Sequence, residues 1–503
     1  MFDIQEVPAA ALRAAANVAY HNGKNPLVAM FANDERGIRG DYAIYCLFHC
    51  KSSLKYQVVR ASLPPVAEPD FPSLTPVISA AAWYEREIHD LFGLVPVGHP
   101  DLRPLVLHEN WPRGVYPLRK DFLPAVLETA QEGSEYPIPA VAGHGVFEVP
   151  VGPIHAGIIE PGHFRFSQAG ENVINLEAKL FFTHRGIEKS VEGLSFDEAL
   201  YRVERICGAC TVSHALSYSQ AVENLTQAEV PLRARYLRVL TAEMERLYNH
   251  VGDIGNLCAG MGFSVGISNG ARLKEVLMRL NERLTGNRFL RGMIVPGGVR
   301  QDITPDLTAE AEKVLNALDR DFMELAALLK DNDAFLDRVN TTGVLTPDVA
   351  LDLAVVGVAA RASGIDRDVR RDTPYAVYSE LDFSVPTEKN GDVAARLWVR
   401  VEEVKQSVKL IRQVLGRLPD GPLRVSLPPA KPHTFAFSLT ESPRGANCHW
   451  VMSDEHNRIF RLFVRSASYP NWMAVPTTVP GNIIPDFPLI NKSFELCYAC
   501  LDR

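Results

Sequence analysis

No stretch of this 503-residue sequence is apolar for long enough to cross a bilayer, so it holds no candidate transmembrane helix, although peripheral attachment to a membrane complex stays open. Its first residues, Met1-Phe-Asp-Ile-Gln-Glu6, carry neither a basic nor an apolar segment, so no secretory signal is read and a cytoplasmic location is expected. Basic residues are not in excess. Fifty-two Lys and Arg against 60 Asp and Glu give a net charge of −8, which leaves no footprint for nucleic acid. Cysteine is sparse, eight in all, too few for a disulfide scaffold in a chain this long. Internal repeats and low-complexity tracts are lacking too. What remains is ordinary globular composition, 47% hydrophobic and 22% charged, in a chain long enough for at least two domains.

The expected fold class is α+β: a small N-terminal α/β domain over residues 1–125, a linker over 126–145, and a large, mainly helical domain with peripheral strands over 146–503. In the first part, helical periodicity near Pro8–Tyr20 gives way to short apolar runs at Tyr42–Phe48 and Tyr56–Leu63. Ala81–Phe92 reads as a helix closed by Gly93, and its charges, Glu85, Arg86, Glu87 and Asp90, read as a solvated face. The linker is acidic, aperiodic and punctuated by Gly and Pro. The third part opens around Val151-Gly-Pro-Ile-His155, with Pro161-Gly-His-Phe-Arg-Phe166 as a turn entering a strand. Apolar positions then recur at helical spacing over Phe196–Asn224, Pro231–Asn256, Arg272–Leu284, Thr308–Leu329 and Asp392–Leu415, with Ser195 as an N-cap, which predicts a bundle. Phe435–Leu439 and Arg458–Val464 read as strands, and Val475–Pro488 as a proline-rich tail.

The chemistry gathers in two Cys-x-x-Cys pairs, Cys207/Cys210 and Cys497/Cys500, which only a folded domain can join. Two residues between cysteines let both thiolates of a pair reach one centre. Four soft thiolates suit zinc, an iron–sulfur cluster or another thiolate-bound transition metal, and a thiol–disulfide pair is a further reading. Ribbon-type zinc sites place their pairs about 15–20 residues apart, unlike these. His214, one helical turn after Cys210, is either a satisfied core or capping histidine or a donor to a thiolate sulfur. Glu188 follows an apolar run and either pairs with Arg185 or Lys189 or carries a proton. Arg444, between Pro443 and Gly445, sits in a tight turn that alone reads as a surface turn. Cys46, Cys50, Cys258 and Cys448 have no cluster spacing, so no iron–sulfur cluster is expected in this chain.

Taken together these motifs carry a resemblance. Glu85-Arg-Glu87, Asp90, Phe92-Gly93, His99-Pro-Asp-Leu-Arg103 and Pro117-Leu-Arg-Lys-Asp-Phe122 are similar to the signature of the 30-kDa-type subunit of respiratory complex I, which implies a docking module without a redox centre. Arg185-Gly-Ile-Glu188, Arg205-x-Cys-Gly-x-Cys-x-x-x-His214, Pro443-Arg-Gly445 and Cys497-x-x-Cys500-x-x-Arg503 resemble the large subunit of NiFe hydrogenases, in the complex-I-related, membrane-associated, formate hydrogenlyase-type branch, where the 30-kDa-type module is fused ahead of a 49-kDa-type module. The resemblance implies nickel held terminally by Cys207 and Cys497, and Cys210 and Cys500 bridging nickel to an iron with cyanide and carbonyl ligands. It implies that Glu188 takes the proton leaving Cys497, that Arg444 lies over the open metal position, and that Asp253 pairs with Arg444. It further implies partners: a small iron–sulfur subunit, ferredoxin-like and integral membrane subunits, and a maturation endopeptidase. The site would lie on the cytoplasmic face of the inner membrane, and the end at Arg503 matches the matured form. Two positions depart from the family pattern: Glu495-Leu496 where many relatives have Asp-Pro, and Ala156 where complex I relatives have Pro. A metal-free or zinc-bearing scaffold, or a quinone-reacting subunit, is the alternative reading.

Overall fold

The first described element is a strand that the apolar pattern did not mark, β1 (Phe2–Pro8). The computed structural model describes residues 2–21, 23–50, 55–124, 135–155 and 159–503. After β1 come α1 (Leu12–Tyr20), β2 (Leu27–Glu35), β3 (Asp41–Cys50) and β4 (Lys55–Leu63). They make a four-stranded sheet in the order β1-β4-β3-β2, with β1 parallel to β4 and the other pairs antiparallel. All nine residues of β2 are buried, and a strand covered on both faces has no period-two alternation to betray it.

The cover on β2 comes from the far end of the chain. Strands Phe435–Ser442, Gly445–Ser453 and Ile459–Arg465 form an antiparallel meander. Phe31 stacks on Phe463 at 4.1 Å and lies 5.1 Å from Trp450, and Phe2 stacks on Phe435 at 5.3 Å. Each aromatic pair adds about 1 kcal/mol beyond its buried area. The middle strand, Gly445–Ser453, is buried throughout and mixes Gly, Asn, Cys and His, so it too was invisible to periodicity.

Helix α2 (Ala82–Phe92) ends at Gly93, whose φ of +69° suits a left-handed C-cap. Its charged residues are not a solvated face, contrary to the expectation from sequence. Glu85, Arg86, Glu87 and Asp90 are all buried. Glu85 accepts from the Ser73 and Thr75 hydroxyls, and Asp90 accepts from the amides of Leu105, Val106 and Leu107. These carboxylates satisfy the amides of irregular loops, a need that local sequence does not reveal.

Of the linker, 126–134 lie outside the described residues, as does Ala156. Residues 135–145 run without helix or strand, and Tyr136 is tied to the N-terminal part by a 3.1 Å hydrogen bond from Arg86. Strands Val146–Val151, His163–Ala169 and Asn172–Lys179 form an antiparallel sheet. The bundle follows, with long helices at Leu232–Ala259, Ser264–Thr285, Pro305–Lys330 and Val393–Gly416. Ser195 caps its helix through a reciprocal box with Glu198, and Asp392 caps another by accepting from Ala395 N at 2.7 Å. Two expectations need correction. The helix expected over Phe196–Asn224 is two, Phe196–Val203 and Thr211–Thr226, and the break carries Cys207 and Cys210. The expected tail at Val475–Pro488 is a string of short helical turns, only partly buried, leading into helix Phe487–Phe494. Proline there starts turns and does not loosen the chain.

Candidate metal centre

Each Cys-x-x-Cys pair meets a helix start, the first by its second cysteine and the second by its first. Cys210 is the N-cap residue of the 16-residue helix Thr211–Thr226, and Cys497 is the N-cap residue of helix Tyr498–Asp502. A helix N-terminus favours a thiolate. The four sulfurs lie within 4.8 Å of one another. Cys207, Cys210 and Cys500 are buried, Cys497 partly so. Hydrogen bonds from the other three thiols hold the Cys207 thiol well below its usual range. The partner thiols raise Cys210, and burial raises Cys500. Four thiolates this close repel one another, and a shared cation removes that conflict. The donor set therefore fits a soft or borderline metal held by four sulfurs.

The first pair is gripped by helix Leu232–Ala259. Asn249 Nδ2 donates to Ala209 O at 2.7 Å. The Glu245 carboxylate accepts from Val212 N at 2.5 Å and Ser213 N at 3.0 Å, which satisfies the open amides of the next helix. The second pair is tied to the first by Arg185, which sequence reading had offered as a partner for Glu188. Its guanidinium donates to Arg205 O at 2.9 Å, Ile206 O at 2.7 Å and Ala499 O at 2.9 Å, stapling the two cysteine loops together.

His214 Nε2 stands 3.3 Å from Cys500 Sγ, and its Nδ1 stands 3.3 Å from His449 Nε2. Burial lowers the pKa of His214 to about 4, so the ring is neutral. A thiolate only accepts, so Nε2–H faces the sulfur and Nδ1 accepts from His449. The contact is with Cys500, from the remote pair, and not with Cys210 one turn away.

Arg444 and Asp253 meet in a buried two-pronged pair, with Nη2 to Oδ1 at 2.9 Å and Nη1 to Oδ2 as the second prong. Burial opposes the Asp253 charge, but Arg444, helped by His250 and Arg400, holds its pKa down at about 2. The turn carrying Arg444 is not on the surface. It is pressed against Gly357, where an added Cβ would fall 2.3 Å from Arg444 O, so only glycine admits this approach.

Glu188 is engaged by two arginines and a backbone amide. Its carboxylate meets Arg461 at 2.8 Å and Arg503 at 3.2 Å and accepts from Val464 N at 2.9 Å; its hydrogen-bond partners include neither a cysteine nor Arg185 or Lys189. A different carboxylate reaches the second cysteine loop. Glu160 Oε2 accepts from Ala499 N at 2.7 Å, two residues after Cys497. Burial raises the Glu160 pKa, the Ala499 amide opposes this, and charge at Cys497 adds to it. Sequence reading passed over Glu160, although it stands directly before the Pro161-Gly162 turn already noticed. Glu495, in the departing Glu495-Leu496 pair, is half-buried with φ +52° and accepts from Asn256 at 2.6 Å.

The chain is similar to proteins of known families. The family described as "Respiratory-chain NADH dehydrogenase, 30 Kd subunit" matches residues 5–126, and its 49 Kd counterpart matches 261–434 and 426–503. "Nickel-dependent hydrogenase" matches residues 185–259, which contain Arg185, Glu188, Cys207, Cys210, His214 and Asp253. "Formate hydrogenlyase subunit 5" of Escherichia coli (strain K12) is 37% identical over 96% of this chain and 86% of its own length. "Hydrogenase-4 component G" of the same organism is 36% identical over 96% of this chain and 84% of its own. "NADH-quinone oxidoreductase subunit 4" of Thermus thermophilus is 31% identical over 71% of this chain and 94% of its own.

Proposed function

The chain belongs to the complex-I-related, formate hydrogenlyase-type family of NiFe hydrogenase large subunits, with 30-kDa-type and 49-kDa-type parts in one polypeptide, and from that membership we propose that it is the hydrogen-reacting subunit of a multisubunit oxidoreductase. Its relatives are hydrogenase and NADH-quinone oxidoreductase subunits, so an oxidoreductase function is the common ground. The convergence of Cys207, Cys210, Cys497 and Cys500 within 4.8 Å carries the narrower reading. A quinone-reacting or purely structural subunit has no use for four converging thiols.

The four cysteines would hold the nickel and iron. Bound there, that pair supplies a redox-active Lewis acid at which the H–H bond is made or broken. The chain's own residues do the rest. Cys207, Cys210, Cys497 and Cys500 would each supply one thiolate to the metal pair, in the roles the family resemblance implies. His214 donates to Cys500 Sγ and fixes its orientation. Arg444 is always cationic, and Asp253 aims it without titrating near neutral pH. The proton leaving Cys497 Sγ passes to Glu160, a reading supported by its bond to Ala499 N and by its raised pKa. Glu188 is then a structural carboxylate that neutralises Arg461 and Arg503.

The division into residues 1–125, 126–145 and 146–503 belongs to the same proposal. So do the partners: a small iron–sulfur subunit that takes the electron, ferredoxin-like and membrane subunits, and a maturation endopeptidase. Among the described residues no helix is long and apolar enough to cross a membrane, and attachment on the cytoplasmic face through partners is proposed. Elemental analysis of the anaerobically purified complex tests the reading. About one nickel per chain, with iron beyond the partners' clusters, is expected. Zinc, or no metal in a complex active with quinone, overturns it.

A further inference from the structure

Helix α2 belongs to the N-terminal part, yet one of its faces lies against the end of the segment that carries Cys497 and Cys500. Arg503 stands at the centre of this contact. Its Nη2 meets Glu87 Oε2 from α2 at 2.7 Å. Its Nη1 meets Glu188 Oε1 at 3.2 Å and donates to Val464 O at 2.6 Å. Arg461 closes the group by meeting Glu188 Oε2 at 2.8 Å. All four charged side chains are buried, and two carboxylates balance two guanidiniums. Two aromatic residues of α2 complete the enclosure. Phe92 lies beneath the Arg461 guanidinium at 5.7 Å, and Tyr84 stacks at 4.7 Å on Tyr469, whose ring lies 5.2 Å from Arg503. Tyr84 and Glu87 are one turn apart and so share a face of the helix.

Arg503 is joined to the cysteine segment by its backbone. Its amide donates to Ala499 O at 3.1 Å, Leu501 N donates to Cys497 O at 3.2 Å, and Arg185 N donates to Arg503 O at 2.8 Å. Segment 495–503 contains only a five-residue helix, too short to hold itself in water. Its order must come from what it touches. A buried charge quartet is stiff in this respect, since removing one member leaves another charge uncompensated.

We infer that the N-terminal module is a working part of the metal-bearing segment: Glu87 is a positioning residue that, through Arg503, keeps Cys497 and Cys500 in place, so docking of the module and closure of the cysteine site are one event. The inference goes beyond the proposed function and does not require the metal's identity. Backbone hydrogen exchange on the full-length purified chain tests it, comparing Glu87→Gln, which keeps the shape and loses the charge, with Lys120→Ala. Lys120 makes a different contact between the two parts, reaching Phe460 O and, at 2.8 Å, Glu192. In Glu87→Gln, exchange over 495–503 is expected to rise at least about tenfold, with helix Leu232–Ala259 unchanged. Lys120→Ala is expected to leave 495–503 at the parent rate. Arg503→Lys keeps a charge but loses the fork that spans both carboxylates, and is expected to reproduce the local rise; it decides the matter if Glu87→Gln does not fold. In the nickel-loaded enzyme, Glu87→Gln should also shift the nickel paramagnetic spectrum. Parent exchange rates over 495–503 in both the Glu87 and Arg503 variants, or an equal rise in Lys120→Ala, overturn the inference. A chain that proves nickel-free but shows the local rise overturns the hydrogenase reading alone.

Discussion

Cys207 and Cys210 are gripped mainly by one long helix, with Arg185 shared between the two cysteine loops, whereas Cys497 and Cys500 are gripped by side chains drawn from across the chain. Asn249 and Glu245, four residues apart on Leu232–Ala259, hold the first loop and the helix after it. The second loop takes Ser468 at the Cys497 amide (3.1 Å), Glu160 and Arg185 at Ala499, His214 at the Cys500 sulfur, Thr183 at Asp502 (2.8 Å) and Glu87 at Arg503. One half of the site is therefore built by forming a helix, and the other by closing several long loops whose entropy must be overcome together. The second half is the natural one to order last. A site that is half preformed and half closed around its contents suits a metal centre that has to be loaded.

The largest effect should come from the preformed half. Cys207→Ser keeps the shape of the loop but replaces a soft thiolate with a hydroxyl. Nickel content and hydrogen turnover are expected to fall below detection, while the unfolding transition stays within a few degrees of the parent. Turnover at the parent rate would sink the four-thiolate site and the comparison with it.

Next in size is the proton step, which separates two carboxylates with similar surroundings in the sequence and different ones in space. Glu160→Gln should keep nickel and lower turnover by about 10²–10⁴-fold, the range for a lost acid–base group. Glu188→Gln should instead lower stability, because Arg461 and Arg503 lose a buried counter-charge; breaking such a pair costs about 3–5 kcal/mol. Thermal unfolding and turnover measured on both variants decide between them. If Glu188→Gln lost turnover at parent stability while Glu160→Gln kept it, the two roles would be exchanged.

The difference between the loops themselves is tested more gently. Arg185→Ala removes the staple between them and should weaken nickel retention under a chelator by about 10–100-fold, as for outer partners of metal ligands. Asn249→Ala removes one hydrogen bond from the helix-held loop, worth about 1 kcal/mol, and should leave retention near the parent. Equal losses would show that the two halves are held alike.

The same contrast explains what could be read in advance. The ligand pairs were legible because Cys-x-x-Cys spacing is local, and so were the cap at Ser195 and most of the long helices. The break at Cys207 was not, because apolar positions on either side keep helical spacing across it. Glu87 and its neighbours on α2 look like any solvated helix face until the loops and the Arg503 segment are folded against them. Arg185 and Glu160 are the same case at the site. Both are polar residues beside turns, and only tertiary structure brings both to Ala499, one at its carbonyl and one at its amide. Gly445–Ser453 was hidden for the opposite reason, burial on both faces.

The smallest expected effect concerns the helix grip alone. Burial raises the Glu245 carboxyl to about 7, against the opposing pull of Ser213 and the Val212 amide. Its folded pKa thus lies above the ordinary value of about 4.3, so between the two the folded chain holds a proton that the unfolded chain has released. Stability from this group is full below about pH 4 and is lost as pH rises through 7, at no more than about 1.4 kcal/mol per pH unit. Glu245→Gln, an amide that never ionises, should flatten the fall in denaturation midpoint over that window. An unchanged slope in the variant would mean that Glu245 is ionised throughout, with the helix amides of Val212 and Ser213 outweighing its burial.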